Sequence, residues 1–516
     1  MKQIGHWIDG KAFAGGVAAG GVGVGTLGAP GGEGAGGAQR FGPVWDPATG
    51  AQQAEVAFAT REEVDLALSG ARAAFPEWRA TSLSRRAEIL FAFRELLHSR
   101  RQEVAALVTA EHGKTLSDAL GEVARGLENV EFACGIPHLL KGELSEQVST
   151  GVDVFSIRQP LGVVVGITPF NFPVMVPLWM LSNAIACGNT FVLKPSEKDP
   201  SASLWLAETL GEAGLPPGVL QVVQGDREAV GALLGSPEVA AVSFVGSTPI
   251  ARSIYETATR AGKRVQALGG AKNHMVVLPD ADVDLAADAA VSAGFGSAGE
   301  RCMAVSVVVA VGSVADSLVA AIAARLPRLA VGPGTDPRSE MGPLVTAEHR
   351  DKVASYLDSG RAAGAEVVVD GRLHDVPAGG FYLGPSLLDR VEPGMDVYRD
   401  EIFGPVLCVV RVESFEEAVR LVDENPYGNG TAIFTRDGGA ARRFQFECQV
   451  GMVGVNVPIP VPVASYSFGG WKDSLFGDTH MYGPDGVRFY TRTKVVTARW
   501  PDPSTSSVDL GFPVTR

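Results

Sequence analysis

Between residues 159 and 245 the chain repeats one unit, a short and wholly apolar run followed by a longer stretch with helical spacing. Residues 160–168 read as a buried strand, closed by Pro169-Phe170-Asn171-Phe172-Pro173. A helix through Asn183 and Ala186 follows, then a strand over 190–194 and the turn Pro195-Ser196-Glu197. Helices over 202–213 and 228–234 and strands over 219–224 and 241–245 complete the series. A strand that is apolar on both faces needs cover on both, and helices between such strands supply it in a parallel, doubly wound sheet. Ligands on these sheets lie beyond the carboxyl ends of the strands. Asn171, Lys194 and Gly246 each follow a strand end.

The turn Phe244-Val245-Gly246-Ser247-Thr248-Pro249 suits a helix start: a glycine for the turn, a hydroxyl cap and a proline in the first turn. Such a start attracts phosphate through its free N–H groups. The same residues equally fit an ordinary strand-to-helix turn. The second half keeps the alternating style, with the Gly269-Gly270 turn within 265–274, strands over 275–278, 305–311 and 431–434, and extended, proline-interrupted chain over 450–463. Glu401, in Asp400-Glu401-Ile402-Phe403-Gly404-Pro405, suits a catalytic base, a ribose ligand or a helix-cap carboxylate, and spacing does not choose.

Before the sheet, 62–78, 84–113 and 117–134 carry apolar residues at helical spacing. Arg125 has Glu122 and Glu128 three residues away on either side, a pattern that usually decorates a solvated face. Residues 14–39 are nearly all Gly, Ala and Val, and read as a flexible loop inserted into an opening hairpin with flanks at 5–10 and 44–47.

Small residues surround Cys302 in Gly296-Ser297-Ala298-Gly299-Glu300-Arg301-Cys302-Met303-Ala304. Cysteine chemistry needs the thiolate, and Arg301 beside it would lower the thiol pKa. A cysteine among small residues is also common as plain core packing. With 516 residues, 46% of them hydrophobic, the chain can bury large cores and build two or three domains. A net charge of −14 argues against a nucleic-acid surface. The five cysteines show neither metal-ligand spacing nor a disulfide framework, so no metal is expected and a reducing compartment is. Residues 1–11 lack the apolar stretch of a signal peptide and no run is long enough to span a membrane. The expectation is a cytoplasmic protein with no membrane partner.

Taken in order, Thr168-Pro-Phe-Asn-Phe-Pro173, Lys194-Pro-Ser-Glu197, Phe244-Val-Gly-Ser247, Gly269-Gly270, Cys302, Glu401-Ile-Phe-Gly-Pro405 and Asn425-Pro-Tyr-Gly428 resemble the aldehyde dehydrogenase superfamily. Gly299-Glu-Arg-Cys-Met-Ala304, Gly270-Ala-Lys-Asn-His274, Asn429-Gly-Thr-Ala-Ile-Phe434 and the stretch from Gly454 to Pro462 resemble its CoA-acylating branch. The resemblance implies an α/β fold with a Rossmann-type NAD-binding domain (1–140 and 159–268), an α/β catalytic domain (269–470) and a small bridging β-sheet for oligomerisation (141–158 and 471–500). Residues 501–516 would be a tail, and the assembly a homotetramer or homodimer.

It further implies Cys302 as nucleophile, Asn171 as oxyanion donor, and Arg125 and Arg301 as a clamp for a carboxylated semialdehyde. Lys194 and Glu197 would hold the adenosine ribose of NAD, Glu401 the nicotinamide ribose, and Thr168, Phe170, Lys198, Ser247 and Gly269 would line the path. Hydrolytic members place a glutamate base just before the Gly-Gly turn, where this chain has Gln266-Ala267-Leu268. Without a base, water is a poor nucleophile toward a thioester, so coenzyme A would take the acyl group. The implied reaction converts methylmalonate semialdehyde to propionyl-CoA and malonate semialdehyde to acetyl-CoA. A hydrolytic dehydrogenase for another aldehyde and a non-catalytic relative are the alternatives. Cys302, Asn171 and Glu401 together speak against the latter.

Overall fold

The structure, a computed structural model, describes residues 1–15, 39–501, 503–505, 508, 510 and 511, so most of the glycine-rich stretch 14–39 and of the tail 501–516 lies outside the described residues. The alternating half builds an eight-stranded sheet in the order Leu475–Phe476, Arg264–Leu268, Val239–Val245, Val163–Ile167, Thr190–Lys194, Leu220–Val222, His6–Ile8, Lys11–Phe13. Its five middle strands are parallel, with antiparallel strands at both edges. Val163, Val165 and Ile167 face one core and Val164 the other, which is why the run is apolar throughout. Each such side chain contributes about 1.5–3 kcal/mol on burial. From Val163–Ile167 the chain builds first to one side and then, at Val239–Val245, to the other. The crevice of a doubly wound sheet opens at that reversal.

The second half forms a seven-stranded sheet in the order Glu366–Val369, Ser386–Asp389, Val406–Val412, Val305–Val311, Asn273–Val277, Gly430–Phe434, Met452–Val455, parallel except for its first strand. A third, antiparallel sheet joins Leu144–Ser149, Val152–Pro160 and Thr491–Arg499. Of the segments 141–158 and 471–500 expected to form a bridging part, the second enters this sheet only at Thr491–Arg499. Trp471–Lys472 pairs with Tyr427–Gly428, and Leu475–Phe476 pairs with Arg264–Leu268. The reason is apolar: Leu475 and Phe476 pack into the cores of the first sheet, with Phe476 against Tyr255.

Two local expectations change. The helical stretch 84–113 is two helices, Leu83–Ser99 and Arg101–His112, parted at Arg100 (φ −105°, ψ 15°). Arg100 turns to bind Glu103 (3.0 Å) and Glu212 (2.8 Å) over the Trp205 ring. The flanks of the insertion do not pair with each other. His6–Ile8 closes its hairpin with Lys11–Phe13 through Asp9 and Gly10, both at positive φ as a two-residue turn requires, and Arg40–Asp46 pairs with Ala51–Phe58.

Candidate active site

The carboxyl ends of the first sheet supply one wall of a cleft of about 550 Å³. Thr168, Phe170 and Asn171 follow Val163–Ile167, Lys194 ends its strand, Ser247 follows Val239–Val245, and Gly269 follows Arg264–Leu268. The other wall holds Cys302, His349 and Lys352 with Glu401, Ile402 and Phe403. Lys194 Nζ lies 3.4 Å from Glu197 Oε2, and Lys198 Nζ lies 4.5 Å over the Phe170 ring. The Ser247 side chain makes no cap bond to the helix Thr248–Arg260, and the buried Thr168 hydroxyl has no hydrogen-bond partner. The Glu401 carboxylate accepts from Ala271 N (2.9 Å) and lies so close over Gly270 that any Cβ there would overlap it.

Cys302 is presented by a strained loop. The helix Val283–Phe295 ends at Gly296, and Ser297, Ala298 and Gly299 follow with φ of 53°, 52° and 75°. Non-glycine residues held in such regions cost on the order of 1–3 kcal/mol each. At Gly299 a Cβ would also collide with the Gly404 carbonyl. Buried contacts hold the loop in place. The Cys302 carbonyl accepts from Asn273 Nδ2 (2.9 Å) and Asn429 Nδ2 (3.1 Å). Glu300 is fully buried, accepts from Val345 N (3.3 Å), and lies 3.7 Å from His349 and 3.9 Å from His112. Its carbonyl accepts from Asn171 Nδ2 (3.0 Å).

Asn171 is fixed at its other end too. Lys114 Nζ donates to the Asn171 carbonyl (2.6 Å) and to Glu122 Oε2 (2.8 Å). Glu122 Oε1 in turn accepts from Val174 N (2.7 Å) and Met175 N (3.1 Å).

Burial sets the protonation of the centre. It pushes the Cys302 thiol up to about 12, with the Glu401 carboxylate adding to the rise; nearby backbone N–H groups and then Arg301 pull the other way. Arg301 thus lowers the thiol pKa as expected but is outweighed by burial; its guanidinium is turned to Asp118 (2.5 Å). Burial likewise raises Glu401 to about 7, against the Ala271 N–H and Lys272, and raises Glu300 to about 8.

The cleft gathers Thr168, Phe170, Asn171, Lys194, Glu197, Lys198, Ser247, Gly269, Cys302 and Glu401, every residue expected there except the two arginines. Arg301 lines a separate cleft of about 600 Å³ with Asp118, Arg325 and Glu340. Arg125 binds the Pro462 carbonyl (2.7 Å) and Glu128 (2.8 Å). Of the two carboxylates flanking Arg125 in sequence, Glu122 turns inward to Lys114 instead. Tyr482 also donates to Pro462 O (3.0 Å). Asn273, Asn429, Lys114 and Glu300 escaped sequence reasoning. Asn273 lies within 270–274 and Asn429 opens 429–434, but no spacing reveals that they grip the same carbonyl. Ala267 and Leu268 are buried in the sheet and carry no proton-accepting group, so neither can serve as a base ahead of Gly269-Gly270.

A model of the aldehyde dehydrogenase family matches residues 35–496. The chain belongs to that family, and its α/β fold is the fold of an oxidoreductase of this class. It is similar to malonate-semialdehyde dehydrogenase of Pseudomonas aeruginosa, 58% identical over 465 residues that cover 90% of this chain and 94% of that protein. Among solved structures it resembles methylmalonate-semialdehyde dehydrogenase of Oceanimonas doudoroffii (TM-score 0.92, 54% identity, 98% of this chain and 99% of that one). It also resembles a Sinorhizobium meliloti protein complexed with NAD (TM-score 0.92, 50% identity, 98% and 99%).

Proposed function

We propose that the protein oxidises malonate and methylmalonate semialdehydes with NAD and passes the acyl group from Cys302 to coenzyme A, releasing carbon dioxide. The observation that carries this reading is Cys302 in the wall of the cleft, with only buried Ala267 and Leu268 where a water-activating base would stand. The relatives named for these two semialdehydes support the substrate. The cleft fits a dinucleotide: Glu197 beside Lys194 offers a carboxylate to a ribose, the uncapped start of Thr248–Arg260 offers N–H groups to phosphate, and the unpartnered Thr168 hydroxyl awaits a donor or acceptor.

Bound NAD supplies the hydride acceptor. Cys302 forms the C–S bond to the aldehyde carbon as its thiolate, and the carbonyl oxygen becomes an oxyanion. The Asn171 amide and the Cys302 backbone N–H stabilise that charge, each donor being worth roughly 10²–10³ in rate. Once the thioester stands on Cys302, a carboxylate beta to its carbonyl leaves as carbon dioxide, because the carbonyl accepts the electron pair. The same donors hold the enolate. Arg125 and Arg301 suit that carboxylate as planar forks. The first sheet would serve the cofactor and the second the chemistry. The third sheet, with Leu144, Val148, Ile157 and Val495 exposed, would join copies into a dimer or tetramer.

One observation favours a hydrolytic reading: Glu401, raised to about 7, lines the same cleft. NADH formation from each semialdehyde, with and without coenzyme A and with product identification, separates the two. Turnover that requires coenzyme A and yields an acyl-CoA supports the proposal. Equal turnover without it, yielding a free acid, overturns it.

A further inference from the structure

Around Asn171 the chain places a pair of charges where packing alone would not. Lys114 and Glu122 have no side-chain exposure at all. Burying two ions is costly, and such a pair persists only where its geometry is good and its remaining hydrogen-bond groups are filled. Here they are filled. Lys114 Nζ reaches Glu122, the Asn171 carbonyl and, at 4.4 Å, the face of the Phe172 ring. Glu122 takes the N–H groups of Val174 and Met175, the start of the helix Met175–Ala186, whose N-cap residue Val174 has no side-chain cap bond of its own. The pair therefore grips residues 171–175 at both ends: the carbonyl of Asn171 on one side and the helix start on the other.

Each anchor has its own support. Lys114 follows the left-handed Gly113 (φ 93°) at the end of Arg101–His112. Glu122 stands on Leu116–Cys134, whose N-cap Thr115 accepts from Asp118 N. Beyond the loop, one Asn171 amide hydrogen is already spent on the Glu300 carbonyl, which leaves the other to aim. A shift of the Asn171 backbone by a fraction of an ångström would swing that hydrogen.

We propose that Lys114 and Glu122 are positioning residues that hold Asn171 in register with the oxyanion forming on the Cys302 adduct. The inference rests on Asn171 as oxyanion donor, as argued under the proposed function. It does not depend on which aldehyde is the substrate.

The test uses the whole chain and p-nitrophenyl acetate, an ester whose attack by Cys302 builds an oxyanion without NAD or any aldehyde. The double variant Lys114→Met/Glu122→Gln leaves no unpaired charge. It should acylate about 10- to 100-fold more slowly, as misplacement of a reacting group by about an ångström does. Its alkylation by iodoacetamide, which builds no oxyanion, should stay within about twofold of the parent at the same pH, by the thiolate rule. Added to Asn171→Ala, the double variant should slow acylation no further, because it acts through that side chain. Should the double variant fail to fold, Glu122→Asp keeps both charges while withdrawing the carboxylate from the helix start, and the same pattern is expected of it. Unchanged acylation overturns the proposal, and so does a loss that multiplies with Asn171→Ala or an equal fall in alkylation. Acylation untouched by Asn171→Ala alone removes the oxyanion premise itself. Failure to oxidise either semialdehyde, by contrast, would defeat the substrate reading and leave this test standing.

Discussion

The cleft at Cys302 and the two arginines expected to serve it are built differently. On the cleft side, ten residues scattered from Thr168 to Glu401 converge, and the first-sheet ones do so because each sits at or just past the carboxyl end of a parallel strand. Outside the cleft lining, Arg125 is engaged with Glu128 and the Pro462 carbonyl, and Arg301 with Asp118. A backbone position at a strand end fixes where a short side chain points. A long guanidinium stem is fixed only by what it binds, so its sequence position says little about its aim. The cleft is pre-formed; the proposed carboxylate clamp is not.

The largest effect tests whether the pre-formed side depends on the thiol. Cys302→Ala should lower kcat for aldehyde oxidation by about 10⁴-fold or more, the scale seen when a covalent nucleophile is deleted. NAD affinity, measured by calorimetry, should stay the same, since the sulfur is only one of many groups that line the cleft. Retained turnover would remove Cys302 from the chemistry altogether.

A second measurement asks whether burial or Arg301 governs the thiol. With the thiol pushed up to about 12, the thiolate fraction grows with pH throughout the working range. Iodoacetamide alkylation of the NAD-free enzyme should then rise about tenfold per pH unit, roughly 10³-fold from pH 7 to 10, without a plateau. Arg301→Ala should leave that slope intact. A plateau near pH 8 that vanishes in Arg301→Ala would show the cation in control.

The arginine side should show a smaller and more selective loss. Arg125→Ala and Arg301→Ala should each raise KM for malonate semialdehyde about 10- to 100-fold, the worth of one charge-assisted hydrogen bond of roughly 1.5–3 kcal/mol. Propanal, which has no carboxylate, should be affected little. Asp118→Asn should lower KM for the semialdehyde by releasing Arg301. Equal losses on both aldehydes would make the arginines structural.

How far the sequence could be read follows the same division. The parallel sheet was legible because strands such as Val163–Ile167, apolar on both faces, have few other uses. Residues fixed by strand ends, such as Lys194 and Gly269, could be placed with it. The break at Arg100 was not legible, because the apolar period runs through it and only contacts to Glu212 and Trp205, distant in sequence, explain it. The burial of Glu122 is hidden in the sequence for a similar reason. Its spacing from Arg125 suggested a surface pair, whereas the buried Lys114, eight residues earlier, claims it. Partner choice among charges is settled by tertiary proximity, which one sequence does not display.

A last effect, on stability rather than on turnover, concerns Glu300. Glu300 turns inward toward His112 and His349, while Arg301, next in the chain, turns to Asp118. Burial raises the Glu300 carboxyl to about 8, far above its value in an unfolded chain, so the folded state holds a proton that the unfolded state has lost. Stability from this group is complete below the unfolded carboxylate range and declines as pH rises toward 8, at up to about 1.4 kcal/mol per pH unit. Glu300→Gln keeps the shape of the neutral acid without the titration. Its Tm should therefore fall less than that of the parent between pH 6 and 9, with the two nearest each other at the acid end. The adjacent Arg301→Ala, which faces the other way, should follow the parent's pH curve. If Glu300→Gln and its parent lose Tm in parallel, the carboxyl is already ionised in the folded protein, and the loop that raises Cys302 is held by a charge rather than by a neutral acid.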